Sequence, residues 1–194
     1  MKFYIEITLR PRPDEDIQIY FLWQKIYPQI HLGLVEIQDA QGNVSVAAAF
    51  PQYCEELNHL GCILRLFAED KQTLESFNTA KWLNRLTDYV DIKQIQPVPE
   101  NITEFVCFKR QQAKSSNERL ARRKAKREGI DYEQALAQLE GYDEQRVKTP
   151  FINIKSQSTG KQFRLFIEKC SSENAQEGQF SSYGLSKIAT VPWF

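Results

Sequence analysis

Apolar residues recur every two positions in some stretches and about every 3.6 in others over the first half of the 194-residue chain, and this switching restricts the folds open to it. Phe3, Ile5, Ile7 and Leu9 alternate with Lys2, Tyr4, Glu6 and Thr8, the signature of a half-buried strand. Past Arg10-Pro11-Arg12-Pro13, residues Ile19, Leu22, Ile26, Ile30 and Leu34 keep helical spacing from about Asp14 onward, with Pro28 placed to kink or restart the helix. A turn at Gln41-Gly42-Asn43 leads into a strand predicted over Val44 to Phe50, with a neighbour over Cys62 to Phe67. Asp70 can cap a second helix lined by Leu74, Phe77, Leu83, Leu86 and Val90, and a short strand follows near Ile92 to Val98. The order β-α-β-β-α-β is that of a ferredoxin-like unit, two helices on a four-stranded antiparallel sheet. The sequence therefore predicts an α+β protein with a ferredoxin-like domain over 1–98, ending near Pro97-Val98-Pro99.

Residues 99–194 do not repeat this order. A strand around Glu104 to Lys109 precedes a helix over about 115–128, and a second helix begins at Asp131 with Tyr132, Ala135, Leu136 and Leu139 as its apolar stripe before Gly141. Two strands joined by Ser158-Thr159-Gly160 follow, the later one setting Phe163, Leu165 and Ile167 on one face. The first of these helices is delimited by a capping box, Ser115 with Glu118, and by Gly129 at its end. On it Arg119, Arg122, Arg123, Lys126 and Arg127 stand at i, i+3, i+4, i+7 and i+8 and share one face. Like charges so spaced cost an isolated helix about 0.2–0.5 kcal/mol per pair, so the pattern makes most sense against a polyanion, with a solvated basic face as the alternative. From Lys109 to Arg127 nine basic residues meet one acid, so this stretch is +8. With 25 basic and 25 acidic residues in all, the remainder holds 16 and 24, a net of −8. Such segregation points to an oriented anionic partner.

A chain that is 42% hydrophobic and 12% aromatic can bury a core and is no disordered basic tail. Cys54, Cys62, Cys107 and Cys170 form no C-x-x-C pair, which suggests neither a zinc site nor a disulfide framework, and reads as reduced and cytoplasmic. No apolar run approaches ~18 residues, so neither secretion nor a membrane partner is expected. There is no Walker loop, G-x-G-x-x-G or H-E-x-x-H, and no metal or cofactor is expected. Only two histidines are present. His31, beside Ile30, Leu32 and Leu34, reads on its own as a core or helix-face residue, and His59 as a turn residue. Ser156-Gln157-Ser158-Thr159-Gly160 suits either phosphate and ribose oxygens or an ordinary hairpin turn. Phe163, Phe166, Phe180 and Tyr183 could stack on bases or fill the core. These residues alone reach an RNA- or DNA-binding α+β protein.

Three stretches are more specific in combination. Gln112-Ala113-Lys114-Ser115 runs into Asn117-Glu118-Arg119-Leu120 and the basic face; Ser156 to Gly160 runs into Phe163-Arg164-Leu165-Phe166-Ile167; and Tyr183-Gly184-Leu185-Ser186 precedes terminal Val191-Pro192-Trp193-Phe194. Together they resemble the CRISPR-associated endoribonucleases of subtype I-F systems, the Csy type, over essentially the whole chain. The resemblance implies a ferredoxin-like N-terminal domain and an RNA-binding half carrying an arginine-rich helix. It implies metal-independent cleavage of precursor CRISPR RNA at the 3′ base of the repeat stem-loop by the 2′-hydroxyl, with the product crRNA retained and passed to other Cas subunits of the interference complex. His31, in Ile30-His31-Leu32-Gly33-Leu34-Val35, matches the family's catalytic histidine, with Ser156, Ser158 and Tyr183 beside it. Ser156 would hold the 2′-hydroxyl in line, Ser158 the substrate, and Tyr183 would orient the histidine. Arg110 and Gln112 match base-reading positions, and Phe163 the aromatic that stacks at the foot of the stem. Lys114, Arg119, Arg122, Arg123, Lys126 and Arg127 would contact the RNA by charge and shape. The alternative is a stem-loop RNA-binding subunit that does not cut.

Overall fold

A computed structural model of the chain describes every residue except Pro13, Glu15 and the segments 113–116, 140–146 and 157–158. Lys114, Ser115 and Ser158, and with Ser115 the expected capping box, lie outside the described residues. The chain is a mixed α+β protein. It runs β1 (Phe3–Leu9), α1 (Ile19–Glu36), β2 (Asn43–Val44), β3 (Ala47–Ala49), β4 (Ile63–Ala68), α2 (Lys71–Phe77), α3 (Thr79–Trp82), β5 (Val90–Ile92) and β6 (Gln96–Pro97). It continues with β7 (Phe105–Gln111), α4 (Asn117–Glu128), α5 (Tyr132–Ala137), β8 (Phe151–Lys155), β9 (Gln162–Ser172), β10 (Phe180–Ser181) and β11 (Val191–Pro192).

Strands β3, β4, β1 and β5 lie side by side in that order, with β6 also on β1. β1 pairs antiparallel with both neighbours, Ile5 opposite Leu66 and Ile7 opposite Ile92. A second sheet has the order β11-β7-β9-β8, and β2 leaves the first sheet to pair with β10. By compactness the chain divides into two units, one made of Met1–Arg110 with Thr149–Phe194 and the other of Gln111–Lys148. The first unit holds a single buried core that joins Ile5, Ile7 and Leu9 of β1 with Ile26, Ile30 and Leu34 of α1 and with Leu165 and Ile167 of β9. In the second unit α4 packs on α5, and among the described residues Ala121 and Ala135 are buried.

The structure departs from the expected boundaries for physical reasons. Helix α1 begins at Ile19 rather than near Asp14, because Asp16 has φ of 57° and Arg12 bridges Ile17 in an extended pair. Pro28 lies inside α1, which runs on from Ile19 to Glu36. The expected second helix stops at Asn78, whose φ of 50° ends α2 and whose side chain accepts from Lys81 N–H to cap α3. Val90 is accordingly the first residue of a strand instead of part of a helix stripe. The single strand expected over Val44 to Phe50 is split, Val44 facing Phe180 and Ala47–Ala49 joining β4.

Candidate active site

Leu22, Trp23, Ile26, Tyr27, Ile30, Gly33 and Leu34 are the buried residues of α1, and the close approach at Gly33 fixes how the helix sits. A Cβ at Gly33 would come within 2.7 Å of Trp82 Nε1 and 2.8 Å of Phe77, so only glycine lets α1 lie this near α2 and α3. With that packing set, His31 stands partly buried beside the turn that follows β10.

Three consecutive carbonyls of this turn are held from three places. The Tyr27 hydroxyl donates to Tyr183 O at 2.7 Å, Ala48 N–H donates to Gly184 O at 2.8 Å, and His31 Nδ1 lies 2.7 Å from Ser182 O. The turn also closes on itself, Gly184 N–H donating to Ser181 O at 2.7 Å and Ser181 N–H to Leu185 O at 2.9 Å. Gly184 has φ of 66°, and a Cβ there would stand 2.8 Å from Ala48 N, so a side chain would push the turn off β3. A carbonyl oxygen can only accept. His31 therefore carries a proton on Nδ1, and in the neutral ring Nε2 holds the lone pair. Burial lowers the pKa of His31 from its ordinary 6.5, with the Ser182 carbonyl opposing that shift, so the ring is held in the form that can accept a proton.

The Tyr183 ring lies flat on the imidazole, centroids 4.0 Å apart and planes at 4°. Stacking and the Nδ1 bond leave the ring little freedom to rotate. The Arg110 guanidinium lies 5.8 Å from the centroid of Tyr183 and 5.3 Å from that of Phe163, which gathers His31, Tyr183, Arg110 and Phe163 in one neighbourhood. Ser156 follows β8 and starts the β8–β9 hairpin turn. Its N–H donates to Lys161 O at 2.9 Å, and its Oγ accepts from Thr159 N–H at 3.2 Å.

On α4 the residues Arg119, Arg122, Arg123, Lys126 and Arg127 are exposed, whereas Ala121 is buried and Lys124 and Ala125 are partly so. The basic face is a surface face of the second unit. Gln112 is exposed as well. One group escaped the sequence reading: the Ser182 carbonyl that sets the histidine tautomer carries no side-chain signal. Tyr27, one helical turn before His31, is the residue that gapless counting from the N-terminus would put in the histidine's place; burial raises its pKa and keeps the phenol a proton donor.

The family described as CRISPR-associated protein (Cas_Csy4) matches residues 4–194. A protein of Escherichia coli (strain UTI89 / UPEC) named CRISPR-associated endonuclease Cas6/Csy4 is 35% identical over 196 aligned residues, covering 100% of both chains. One of the same name from Pseudomonas aeruginosa (strain UCBPP-PA14) is 35% identical over 195, again covering 100% of both. A solved structure titled as an RAMP protein binding different RNA substrates covers 98% of this chain and 99% of its own at 9% identity and a TM-score of 0.34, too slight a likeness to carry weight. The family match and the end-to-end relatives agree, and the chain belongs to the Cas_Csy4 family of CRISPR-associated proteins.

Proposed function

We propose that the chain is an endoribonuclease that cuts precursor CRISPR RNA at the 3′ base of the repeat stem-loop, using the 2′-hydroxyl of the RNA as nucleophile and no metal ion, and then keeps the crRNA. The observation that carries this is the tautomer of His31, with Nδ1–H on Ser182 O and the lone pair on Nε2. In the step itself Nε2 takes the 2′-proton, the O2′–P bond forms, the P–O5′ bond breaks, and the departing 5′-oxygen takes a proton from solvent water, the imidazolium of His31 returning its own proton to solvent afterwards. The flat stack with Tyr183 keeps the base aimed, and the Ser156 hydroxyl donates to hold the 2′-oxygen in line. Ser158 is assigned to the substrate beside it.

Arg110 and Gln112 are assigned to purine edges, and Phe163 to the last base pair, where the guanidinium of Arg110 already lies over an aromatic face. Lys114 and the exposed basic face of α4 are assigned to phosphates. The reading of residues 1–98 as a ferredoxin-like domain is supported by the sheet order β3-β4-β1-β5 with α1 after β1 and α2 after β4; residues 99–194 are assigned as the RNA-binding half, although their segment Thr149–Phe194 falls in the same compact unit as Met1–Arg110. Other Cas subunits are the proposed recipients of the crRNA complex, in the cytoplasm. Among the described residues no helix is long and apolar enough to cross a membrane. Incubating repeat RNA with the protein in excess EDTA tests the assignment: cutting is expected, and binding without cutting would leave a stem-loop RNA-binding subunit instead.

A further inference from the structure

Tyr27 and His31 stand one helical turn apart on α1, so their side chains leave the helix on the same side. His31 Nδ1 reaches Ser182 O and the Tyr27 hydroxyl reaches the next carbonyl along, Tyr183 O, each at 2.7 Å. These two oxygens belong to the peptide planes on either side of the Tyr183 Cα. Because each peptide is planar, holding both planes fixes φ and ψ of Tyr183, and with them the direction in which its ring leaves the backbone. That ring is the one that lies flat on the imidazole at 4.0 Å.

The bond from His31 cannot create this order by itself, because a ring is anchored by an oxygen only as firmly as the oxygen is held. Gly184 N–H bonds to Ser181 O, but that bond is internal to the turn and moves with it. Gly184, at φ of 66°, is also the residue best able to let the plane before it rotate, since glycine accepts φ of either sign. The Tyr27 hydroxyl ties that plane to the helix that carries His31. Tyr27 is itself firmly seated. It is 1% exposed, and its ring lies against Trp23 and Phe50, centroids 6.2 and 5.8 Å away. A phenol so enclosed is out of reach of a substrate, so any part it takes in cleavage is exerted through the turn.

Taking His31 as the base, as under Proposed function, we propose that Tyr27 is a positioning residue for cleavage: by holding Tyr183 O it keeps the Tyr183 ring on the imidazole and Ser182 O on Nδ1–H, and so keeps the lone pair on Nε2. Without the hydroxyl the turn loosens, water competes with Ser182 O for Nδ1, and the tautomer with its proton on Nε2 gains population. That tautomer has no lone pair on Nε2 with which to take the 2′-proton.

Tyr27→Phe leaves the ring between Trp23 and Phe50 and removes only the donor, so the full-length variant is expected to fold, which circular dichroism checks. With protein in saturating excess over the repeat hairpin in EDTA, its single-turnover rate is expected to fall by about 10- to 100-fold, the cost of misplacing a reacting group by up to about 1 Å. Its Kd for a hairpin with a 2′-deoxy nucleotide at the cleavage position is expected to match the parent's. Nitrogen-15 NMR of the free protein, with only two histidines to assign, is expected to show Nδ1–H at His31 in the parent and a larger share of Nε2–H in the variant. A tyrosine that merely stabilised the fold would lower the melting temperature and leave the His31 signals alone. A parental rate in Tyr27→Phe, or a slower rate with an unaltered His31 tautomer, overturns the proposal. Should the variant not fold, the parent decides: a Tyr27 hydroxyl proton that exchanges slowly with water supports the hold on Tyr183 O, and one that exchanges freely overturns it. His31→Ala separates the two readings. If it stops cleavage while Tyr27→Phe cuts like the parent, the base assignment stands and only the role of Tyr27 falls; if His31→Ala itself cuts like the parent, the base assignment falls.

Discussion

In the mechanism proposed for His31, the nitrogen that holds its proton decides the direction of proton flow, and the Ser182 carbonyl decides that nitrogen. Because burial lowers the histidine's pKa, its base form is the populated one at neutral pH. The sign follows directly. The base works deprotonated, so cleavage falls as pH drops, and a folded pKa below 6.5 puts the midpoint of that acid limb under 6.5. Single-turnover rates with protein below half-saturation report the free protein and are expected to show this limb, whereas bound phosphates raise the histidine's pKa and move the limb upward at saturation. An acid limb centred well above neutrality at low protein would contradict a buried, neutral His31. The same shift acts on stability: the folded state resists protonating this ring, so the contribution present above the unfolded value is lost as pH falls from that value through the lower folded one. His31→Ala is expected to slow cleavage by about 10²- to 10⁴-fold with hairpin affinity nearly intact. A rate within a few-fold of the parent would move the base elsewhere.

Helix α4 presents its basic residues outward while Ala121 is buried, an arrangement that serves contact with a polyanion better than packing within the protein. Replacing Arg122 and Arg123 together by Ala is expected to weaken hairpin binding and flatten its salt dependence. A face meeting ~5 phosphates gives log K against log[salt] a slope of about −3.5 to −4.5, and each lost contact removes somewhat under ~1. An unchanged slope in the double variant would mark the face as merely solvated. This helix and α5 were legible in the sequence, since the charge periodicity and the stripe of Tyr132, Ala135, Leu136 and Leu139 are local patterns, and those four are the wholly or partly buried residues there. β1 and the buried face of α1 were legible for the same reason. What sequence patterns missed was set by tertiary contact: the break at Asn78, the departure of Val44 toward Phe180, and the start of α1 at Ile19. Within the site, the side chains of His31, Tyr183, Arg110 and Phe163 had a family pattern to reveal them. The Ser182, Tyr183 and Gly184 carbonyls that hold the turn had none, because a backbone oxygen is common to every residue.

Charge and core are distributed oppositely along the chain. The first compact unit takes nearly all the buried hydrophobic residues, and the stretch of +8 from Lys109 to Arg127 falls mostly in the second, Gln111–Lys148. On the proposed reading, affinity and chemistry are carried by separable parts: phosphates would attract the basic helix whatever the RNA does at the cut, and the histidine would act only where a 2′-hydroxyl is present. That separation gives the nucleophile a direct test. A repeat hairpin with a single 2′-deoxy substitution just 5′ of the scissile phosphate keeps its charge and its stem, so its Kd is expected to match that of the all-ribose RNA. The cut is expected to disappear, because the atom that forms the new bond to phosphorus is gone while every phosphate contact remains. The all-ribose RNA in excess EDTA is expected to be cut at its usual rate. Cleavage of the deoxy hairpin would require water as nucleophile, and a strict need for added magnesium would require a metal to activate it. Either result would overturn the mechanism proposed for His31 even though the family membership would stand.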